Sequence, residues 1–230
     1  VNNRLQLADL ERAFQRREAN RLMTEGASLA DPSRIDVRGN LTIGTDISID
    51  VGCIFEGDVT LADDVVIGAH CVIRNATIGA GANIAPHSVI DGAVLEGDNN
   101  VGPFARLRPG TELARGARIG NFVETKNAQV GVDAKINHLS YVGDATLGEA
   151  VNVGAGTITC NYDGANKFRT EIGANAFIGS NSALVAPLKI GAGATVGAGS
   201  TLSRDVAEGA LSVARGKRID KPEWPRPTKK

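Results

Sequence analysis

Aromatic side chains are scarce in this sequence: Phe, Trp and Tyr together account for only 4% of its 230 residues. A core with so few large rings must be thin and built from aliphatic side chains, which supply most of the 42% hydrophobic content. Glycine is abundant instead, at 28 residues, well above its usual share of about 7%. Together these features predict short repeated strands joined by tight turns.

An excess of charge and a long apolar run are also missing. The 25 basic and 26 acidic residues nearly cancel, leaving a net charge of −1, so we expect no nucleic-acid partner. No apolar run reaches the roughly 18 residues of a membrane span, so we expect no membrane association. The three cysteines are an odd number and no leader-like segment opens the sequence, which favours reduced thiols in a cytoplasmic protein.

Residues 1–25 predict a helix that docks onto the chain or links it to another domain. Apolar residues recur there at helical spacing, with Arg and Glu between them, and Gly26 marks its end. The apolar stripe consists of Leu7, Leu10, Phe14 and Leu22. At the other end of the sequence the regular pattern fades, and residues 207–230 predict a surface arm ending in lysines.

From residue 43 the apolar residues repeat every six positions. One-residue slips and one interruption divide the series, which includes Ile43, Ile49, Phe55, Leu61, Ile67, Ile73, Ile78, Ile84, Ile90, Leu95, Val101, Leu107, Leu113, Ile119, Val130, Ile136, Val142, Leu147, Val153, Ile172, Ile178, Leu184, Ile190, Val196 and Leu202. The residue four places after most of these positions is small or β-branched, as at Val65 and Ala82. Hexapeptide repeats of this kind are typical of β-helices.

The repeat predicts an all-β parallel β-helix, a triangular prism, over residues 26–206. Each hexad supplies one strand with an inward aliphatic and one corner filled by the small residue. Three hexads close a coil, whose backbone groups stay unpaired until another coil stacks on it. About nine coils at roughly 4.8 Å each give a prism on the order of 43 Å long. The pattern alone does not give the handedness.

Two pairs of residues test this register. Cys53 and Cys71 lie one coil apart at the same inward position, so we expect a buried, stacked pair of free thiols. His70 and His87 lie one coil apart across a slip, at outward positions, so their rings should also stack.

The interruption at residues 159–171 predicts a loop that projects from a corner, where a β-helix tolerates an insertion. Because aliphatic side chains fill the prism, chemistry must lie outside it, under a loop or in a groove between copies. We therefore expect a homo-oligomer, most simply of three copies.

Outward polar residues are densest over residues 101–167. A neutral histidine can accept a proton near pH 7, cations can hold a phosphate, and a carboxylate can orient an imidazolium. We assign the role of base to His138, phosphate binding to Arg108 and Lys126, and the orienting carboxylate to Glu124. Tyr141 and Asn152 lie nearby.

Four segments of this region resemble one family closely: GPFARLRPG at residues 102–110, GNFVETK at 120–126, NHLSYVGD at 137–144 and NVGAGTITCNYDG at 152–164. They resemble the acetyltransferase half of the bacterial bifunctional N-acetylglucosamine-1-phosphate uridyltransferase/glucosamine-1-phosphate acetyltransferase. The resemblance extends over nearly the whole chain, and the projecting loop with its flanks is its most specific part.

The resemblance implies a left-handed β-helix and a homotrimer with sites at subunit junctions, where a neighbour supplies the loop. It implies acetyl transfer from acetyl-CoA to the C2 amine of glucosamine 1-phosphate, a step toward UDP-N-acetylglucosamine for peptidoglycan and lipopolysaccharide. His138 would be the general base. The sugar phosphate would be bound by Arg108, Lys126, Tyr141, Asn152 and Lys167, and acetyl-CoA by Ala155, Asn161, Tyr162, Ser180, Ala198 and Arg215.

Residues 1–5 resemble the end of the family's uridyltransferase domain. Asn2 matches a position that helps to hold Mg²⁺ and the nucleotide there, but alone it can do neither, so we expect no uridyl transfer from these residues.

Three alternatives to this function stay open at the sequence level. One is a hexapeptide-repeat acyltransferase with a different amino-sugar acceptor, and another is a non-catalytic scaffold. The third is a metalloenzyme of carbonic anhydrase type, which needs three converging histidines. The prediction disfavours it, because His138 lies several coils from the pair of His70 and His87.

Overall fold

The structure, a computed structural model, describes residues 1–216 and Pro222. The described residues form one helix, α1 (Arg4–Thr24), and 26 short strands. The strands are β1 (Ser28–Leu29), β2 (Ile35–Ile43), β3 (Ser48–Ile49), β4 (Cys53–Leu61), β5 (Val66–Ile67), β6 (Val72–Arg74), β7 (Thr77–Ile78), β8 (Asn83–Ile84), β9 (Val89–Asp91), β10 (Val94–Leu95), β11 (Asn100–Val101), β12 (Arg106–Leu107), β13 (Glu112–Leu113), β14 (Arg118–Asn121), β15 (Glu124–Val130), β16 (Lys135–His138), β17 (Tyr141–Leu147), β18 (Asn152–Val153), β19 (Ile158–Cys160), β20 (Thr170–Ile172), β21 (Phe177–Ile178), β22 (Ala183–Val185), β23 (Leu188–Ile190), β24 (Thr195–Val196), β25 (Thr201–Leu202) and β26 (Leu211–Ser212).

The strands stack as a parallel β-helix. One face is an 11-stranded sheet in the order β1-β3-β5-β8-β11-β14-β16-β18-β21-β24-β26. The other two faces belong to a second sheet, because its longer strands bend around the corner between them: β15 pairs with β12 through its first residues and with β13 through its last. The predicted β-helix of hexapeptide repeats with an N-terminal helix is confirmed. The left-handed sense stays a prediction.

The stack is longer than the predicted nine coils. It begins at β1, before the regular series starts at Ile43, and it ends at β26, which pairs with β24. Leu211 and Ser212 therefore belong to the β-helix and not to the predicted arm. Of the remaining predicted arm, residues 217–221 and 223–230, which include the terminal lysines, lie outside the described residues.

The core follows the six-residue rhythm. Every predicted inward aliphatic is buried except Ile43, which is half-buried near the open end of the stack. Two polar residues replace aliphatics inside, and both are hydrogen-bonded. The Thr125 hydroxyl lies 3.1 Å from that of Thr111, while the Thr159 hydroxyl accepts from Gly143 N at 2.8 Å and donates to its carbonyl at 3.0 Å. Because Thr159 is inward and Cys160 ends β19, the projecting loop begins later than predicted, at Asn161.

Helix α1 docks through a face that shares only Leu22 with the predicted stripe. Leu7 and Leu10 are exposed, and the residues it buries are Gln15, Ala19 and Leu22. The Gln15 amide donates to Val37 O at 3.0 Å and accepts from Val37 N at 2.7 Å. Strand β2 is the first rung of its sheet, so its outer backbone groups have no strand to pair with, and a buried amide satisfies them. No helix within residues 1–216 is long and apolar enough to cross a bilayer.

Both stacked pairs predicted from the sequence are confirmed. Cys53 and Cys71 are buried and free. The His70 and His87 rings stack with centroids 5.2 Å apart and planes 15° apart. The ladder continues through Phe104 and Phe122, at centroid distances of 4.9 and 5.3 Å. All four ring-bearing residues have positive φ, so each sits at the same turn of successive coils.

The buried thiols of Cys53 and Cys71 should be unreactive toward thiol reagents in the native protein. Burial raises the pKa of both, that of Cys71 to about 11, and the thiolate is the reactive form. We therefore expect a thiol-specific dye at pH 8 to label the half-buried Cys160 alone, and all three cysteines after unfolding. In a Cys160→Ser variant, labelling should begin only as the protein unfolds. Rapid labelling of that variant under native conditions would contradict the buried stack.

Candidate active site

One column of residues runs along the corner that follows the 11-stranded face. Asn121 and His138 pair in register between β14 and β16. Strands β16, β18, β21 and β24 also pair in register, through Ile136, Val153, Ile178 and Val196. The residues two places after these therefore lie one above another. We call this set the histidine column: Asn121, His138, Ala155, Ser180 and Ala198.

The histidine column carries a base near one end, and a cation lies beside its other end. His138 is exposed, and above it the column consists only of small side chains. At the far end the rung above Ala198 carries Ala214, and the neighbouring Arg215 lies over Gly199, where its side chain passes 3.7 Å from the position that a Cβ on this glycine would take. The column therefore presents a narrow strip without bulky side chains between an imidazole and a guanidinium.

The imidazole of His138 is held by an amide. Its Nδ1 lies 2.8 Å from Asn121 Oδ1. The sequence predicts that Glu124 orients this imidazole, but the structure has Asn121, not Glu124, in contact with it. Glu124 lies around the corner, at the start of β15, where Oε1 accepts from Arg108 Nη1 at 2.8 Å and Oε2 lies 3.7 Å from Arg106 Nη1.

The next face carries the cations. Arg106, Glu124 and Tyr141 lie in register at the starts of β12, β15 and β17, and Lys126 pairs with Gly143. The Tyr141 hydroxyl lies 2.4 Å from where a Cβ on Gly143 would be, so the phenol lies over this glycine. The structure thus brings Arg108, Glu124, Lys126 and Tyr141 together on one face.

The projecting loop reaches this face from its own chain. A bridge between Tyr162 and Lys167 closes the loop, and the Asp163 carboxylate accepts from the backbone N–H groups of the turn between them. Lys167 lies close to Lys126, and this second ammonium is the main reason that the pKa of Lys126 is below its ordinary value. Within one chain Lys126 is thus close to the Lys167 of its own loop, and the contribution of a neighbour's loop stays a prediction.

A buried carboxylate fastens the loop to the prism. Asp144 accepts from Asn127 Nδ2 at 2.6 Å and from Asn161 Nδ2, the first residue of the loop. Burial acts to raise the pKa of Asp144, but these hydrogen bonds and the nearby Lys126 and Lys167 outweigh it and hold the pKa below its ordinary value. Asp144 is therefore a fixed negative charge beneath the two lysines.

Comparison with known proteins identifies the relatives of this fold. A family model described as "Bacterial transferase hexapeptide (six repeats)" matches residues 169–204, and one described as "GMPPB C-terminal domain" matches residues 37–121. Over 229 residues, 100% of the chain, it is 64% identical to the bifunctional protein GlmU of Marinobacter nauticus and 60% identical to that of Ralstonia pickettii. The chain is therefore similar to a part of GlmU. It covers 50% of the length of each of these two relatives.

A solved structure shares this fold. The UDP-N-acetylglucosamine acyltransferase of Francisella novicida superposes with a TM-score of 0.57 over 81% of this chain and 67% of that chain. Only 16% of the aligned residues are identical, so this likeness establishes a common architecture.

Two of the residues that the resemblance assigns to binding sites, Asn152 and Asn2, lie away from the cations near His138 within this chain. Asn152 starts β18 on the 11-stranded face, between Lys135 and Phe177, so it lies around a corner from Lys126. Asn2 lies just before α1 and is exposed, and its backbone N–H donates to Gln6. Across residues 1–216 no cluster of three His, Cys, Asp or Glu side chains is placed to hold a metal ion.

Replacing Asp144 with Asn should loosen the loop. The new amide cannot accept from both Asn127 and Asn161, and we expect the free energy of unfolding to fall by about 1–3 kcal/mol at pH 7. Because the native pKa of Asp144 is lowered, its stabilisation is present above the ordinary value of 3.8 and is lost as the pH falls through the native pKa. Denaturant unfolding across pH should therefore show the two proteins converging in acid.

Asp133→Asn is the matched control, because Asp133 also occupies a corner with positive φ but is exposed. It should unfold like the parent, and limited proteolysis should cut the loop faster only in Asp144→Asn. Equal stability of Asp144→Asn and the parent at pH 7 would rule out the fastening role.

Proposed function

We propose that this chain transfers the acetyl group of acetyl-CoA to the C2 amine of glucosamine 1-phosphate. The observation that carries the proposal is the position of the exposed His138. On one side of it runs a strip of small residues that ends beside Arg215, and on the other lies a face with the cations Arg108, Lys126 and Lys167. The product, N-acetylglucosamine 1-phosphate, lies on the way to UDP-N-acetylglucosamine for cell-wall and lipopolysaccharide synthesis, and we expect the reaction in the cytoplasm.

His138 acts as the general base in this mechanism. With Nδ1 bonded to Asn121, Nε2 faces outward and can accept a proton. The neutral C2 amine attacks the thioester carbonyl, a C–N bond forms, and the amine proton passes to Nε2. Collapse of the tetrahedral intermediate breaks the C–S bond, and the CoA thiolate leaves and takes up the proton. General-base assistance of this type is worth about 10²–10⁴-fold.

The sugar phosphate is held by the cations on the face that follows the 11-stranded face. Arg108, Lys126 and Lys167 supply donors, and Glu124 orients Arg108 through its hydrogen bond instead of orienting the base. Lys126 and Lys167 repel each other, as the lowered pKa of Lys126 indicates, and a dianionic phosphate between them would relieve that repulsion. Tyr141 adds a hydroxyl on the same face.

Acetyl-CoA lies along the histidine column. Ala155, Ser180 and Ala198 leave room for an extended arm, and Arg215 is placed to meet an anionic group about four rungs, roughly 19 Å, from His138. Asn161 and Tyr162 approach from the loop. The Ala155 N–H is the better oxyanion donor, since it lies one rung above His138, whereas the Asn161 amide is already bonded to Asp144.

A homotrimer would complete the site. Asn152 and Lys126 lie on different faces of one prism, so a single sugar phosphate can contact both only if they come from different copies. If three copies pack around an axis, the 11-stranded face of one prism lies against the cation-bearing face of the next. Both the grooves and the junction sites implied by the GlmU resemblance follow from that packing.

A His138→Ala variant should test the base. With acetyl-CoA and glucosamine 1-phosphate as substrates, release of free CoA thiol should slow by about 10²–10⁴-fold, while KM for either substrate changes little. His87→Asn is the control, because it removes another exposed corner imidazole within the ring ladder. Turnover of His138→Ala close to that of His87→Asn would exclude the assignment.

The phosphate clamp separates this function from the alternative acyltransferase with another amino-sugar acceptor. Lys126→Gln should raise KM for glucosamine 1-phosphate by about 10- to 100-fold and leave the slow acetylation of unphosphorylated glucosamine unchanged. Lys135→Gln, on the 11-stranded face, is the matched control and should alter neither reaction. If the parent chain acetylates both amino sugars with equal efficiency, the alternative acceptor is favoured.

A further inference from the structure

We propose that Asn121 is a positioning residue that keeps His138 in the tautomer whose Nε2 is unprotonated. The inference rests on the proposed function, in which that nitrogen takes the proton from the amine. The sequence patterns do not single out Asn121, and they assign the orienting role to Glu124. The observation that carries the proposal is the 2.8 Å contact between Asn121 Oδ1 and His138 Nδ1.

The contact is built into the backbone. Asn121 and His138 are register partners at the ends of β14 and β16, and the carbonyl of Asn121 accepts from the N–H of Leu139 at 3.1 Å. Gly120, the residue before Asn121, is close against the strand above: a Cβ there would lie 1.9 Å from the carbonyl oxygen of Asn137. The two rungs can approach this closely at the histidine only because residue 120 is glycine.

The orientation of the amide decides which nitrogen can act. An amide oxygen facing Nδ1 requires the proton there and leaves the Nε2 lone pair free. An amide nitrogen facing Nδ1 would donate to it, so neutral His138 would carry its proton on Nε2 and could not accept another there. The side chain of Asn121 thus determines the fraction of neutral His138 that is competent as a base.

An amide also differs from a carboxylate in its effect on the pKa of the imidazole. A carboxylate would stabilise the imidazolium and raise that pKa, whereas the neutral amide of Asn121 orients the ring without adding charge. Lys135 and Arg118, on the same and the adjacent strand, lie three residues before His138 and Asn121, about 10 Å away along the strands. Across the corner are Tyr141 and Glu124, and β18 on the other side carries no titratable residue.

The test uses Asn121→Ala and Asn121→Asp in the full chain. Asn121→Ala should lower kcat for acetyl transfer by at least about 10-fold, within the about 10²–10⁴-fold attributable to the base, and leave both KM values within about twofold. In a His138→Ala background the same substitution should have no further effect on kcat, because the positioned group is gone. Asn121→Asp should retain more activity than Asn121→Ala. Its raised imidazole pKa should move the acidic limb of the kcat–pH profile to higher pH, since the base must be neutral to act.

A second readout does not need the reaction. The sequence has three histidines, so ¹⁵N-histidine labelling with a His138→Ala spectrum for assignment reports the tautomer of His138 directly. The parent should show a protonated Nδ1 and an unprotonated Nε2, and Asn121→Ala should lose this preference. A parent spectrum with Nε2 protonated, or an unchanged kcat in Asn121→Ala, would overturn the proposal. If the parent transfers no acetyl group to any amino sugar but shows the expected tautomer, the proposed function fails while the positioning by Asn121 stands.

Discussion

The backbone ladder between successive coils is the constraint on which the rest of this structure depends. Each rung pairs with the next in parallel register, so a residue's position in its hexad fixes both its direction and its neighbours on the rungs above and below. A one-residue error in that register would turn an inward aliphatic outward and break every column at once. Burial of the aliphatic series stabilises the register, and the register in turn aligns the side chains that carry chemistry.

The same ladder explains how the protein manages its irregular positions. Where Thr125 and Thr159 replace aliphatics, hydroxyls bond to a second threonine or to a neighbouring rung, which avoids an unpaired polar group in the core. Where the stack begins, Gln15 of the helix takes the place of a missing rung by bonding to Val37. Where the loop leaves the prism, Asp144 holds its first residue. Each device satisfies backbone or side-chain groups that the repeat alone leaves without a partner.

The candidate site lies at a corner of the prism, where groups from two neighbouring faces come close together. His138 ends a strand of one face, and the cations line the next face, so a ligand that lies across the corner can contact a base and a phosphate-binding group together. Asn152 lies on the 11-stranded face, around the corner from the cations, and the proposed trimer would bring it to them from another copy. The rigid prism sets the separation of these groups, and only the loop with Lys167 is an irregular element.

The sequence determined the parts of this protein that repeat. A six-residue period is a local property, and it correctly predicted the β-helix, the buried aliphatics, the thiol pair and the stacked rings of His70 and His87. It did not predict contacts that depend on one particular neighbour: the burial of Gln15 and Ala19 by α1, the start of the loop, and the contact of Asn121, rather than Glu124, with His138. The one-coil spacing that predicted the histidine stack also relates Asn121 to His138, but an asparagine gives no signal of its own to single it out. Only the tertiary structure decided these contacts, because they depend on which amide or carboxylate reaches an unpaired group in three dimensions and not on the period.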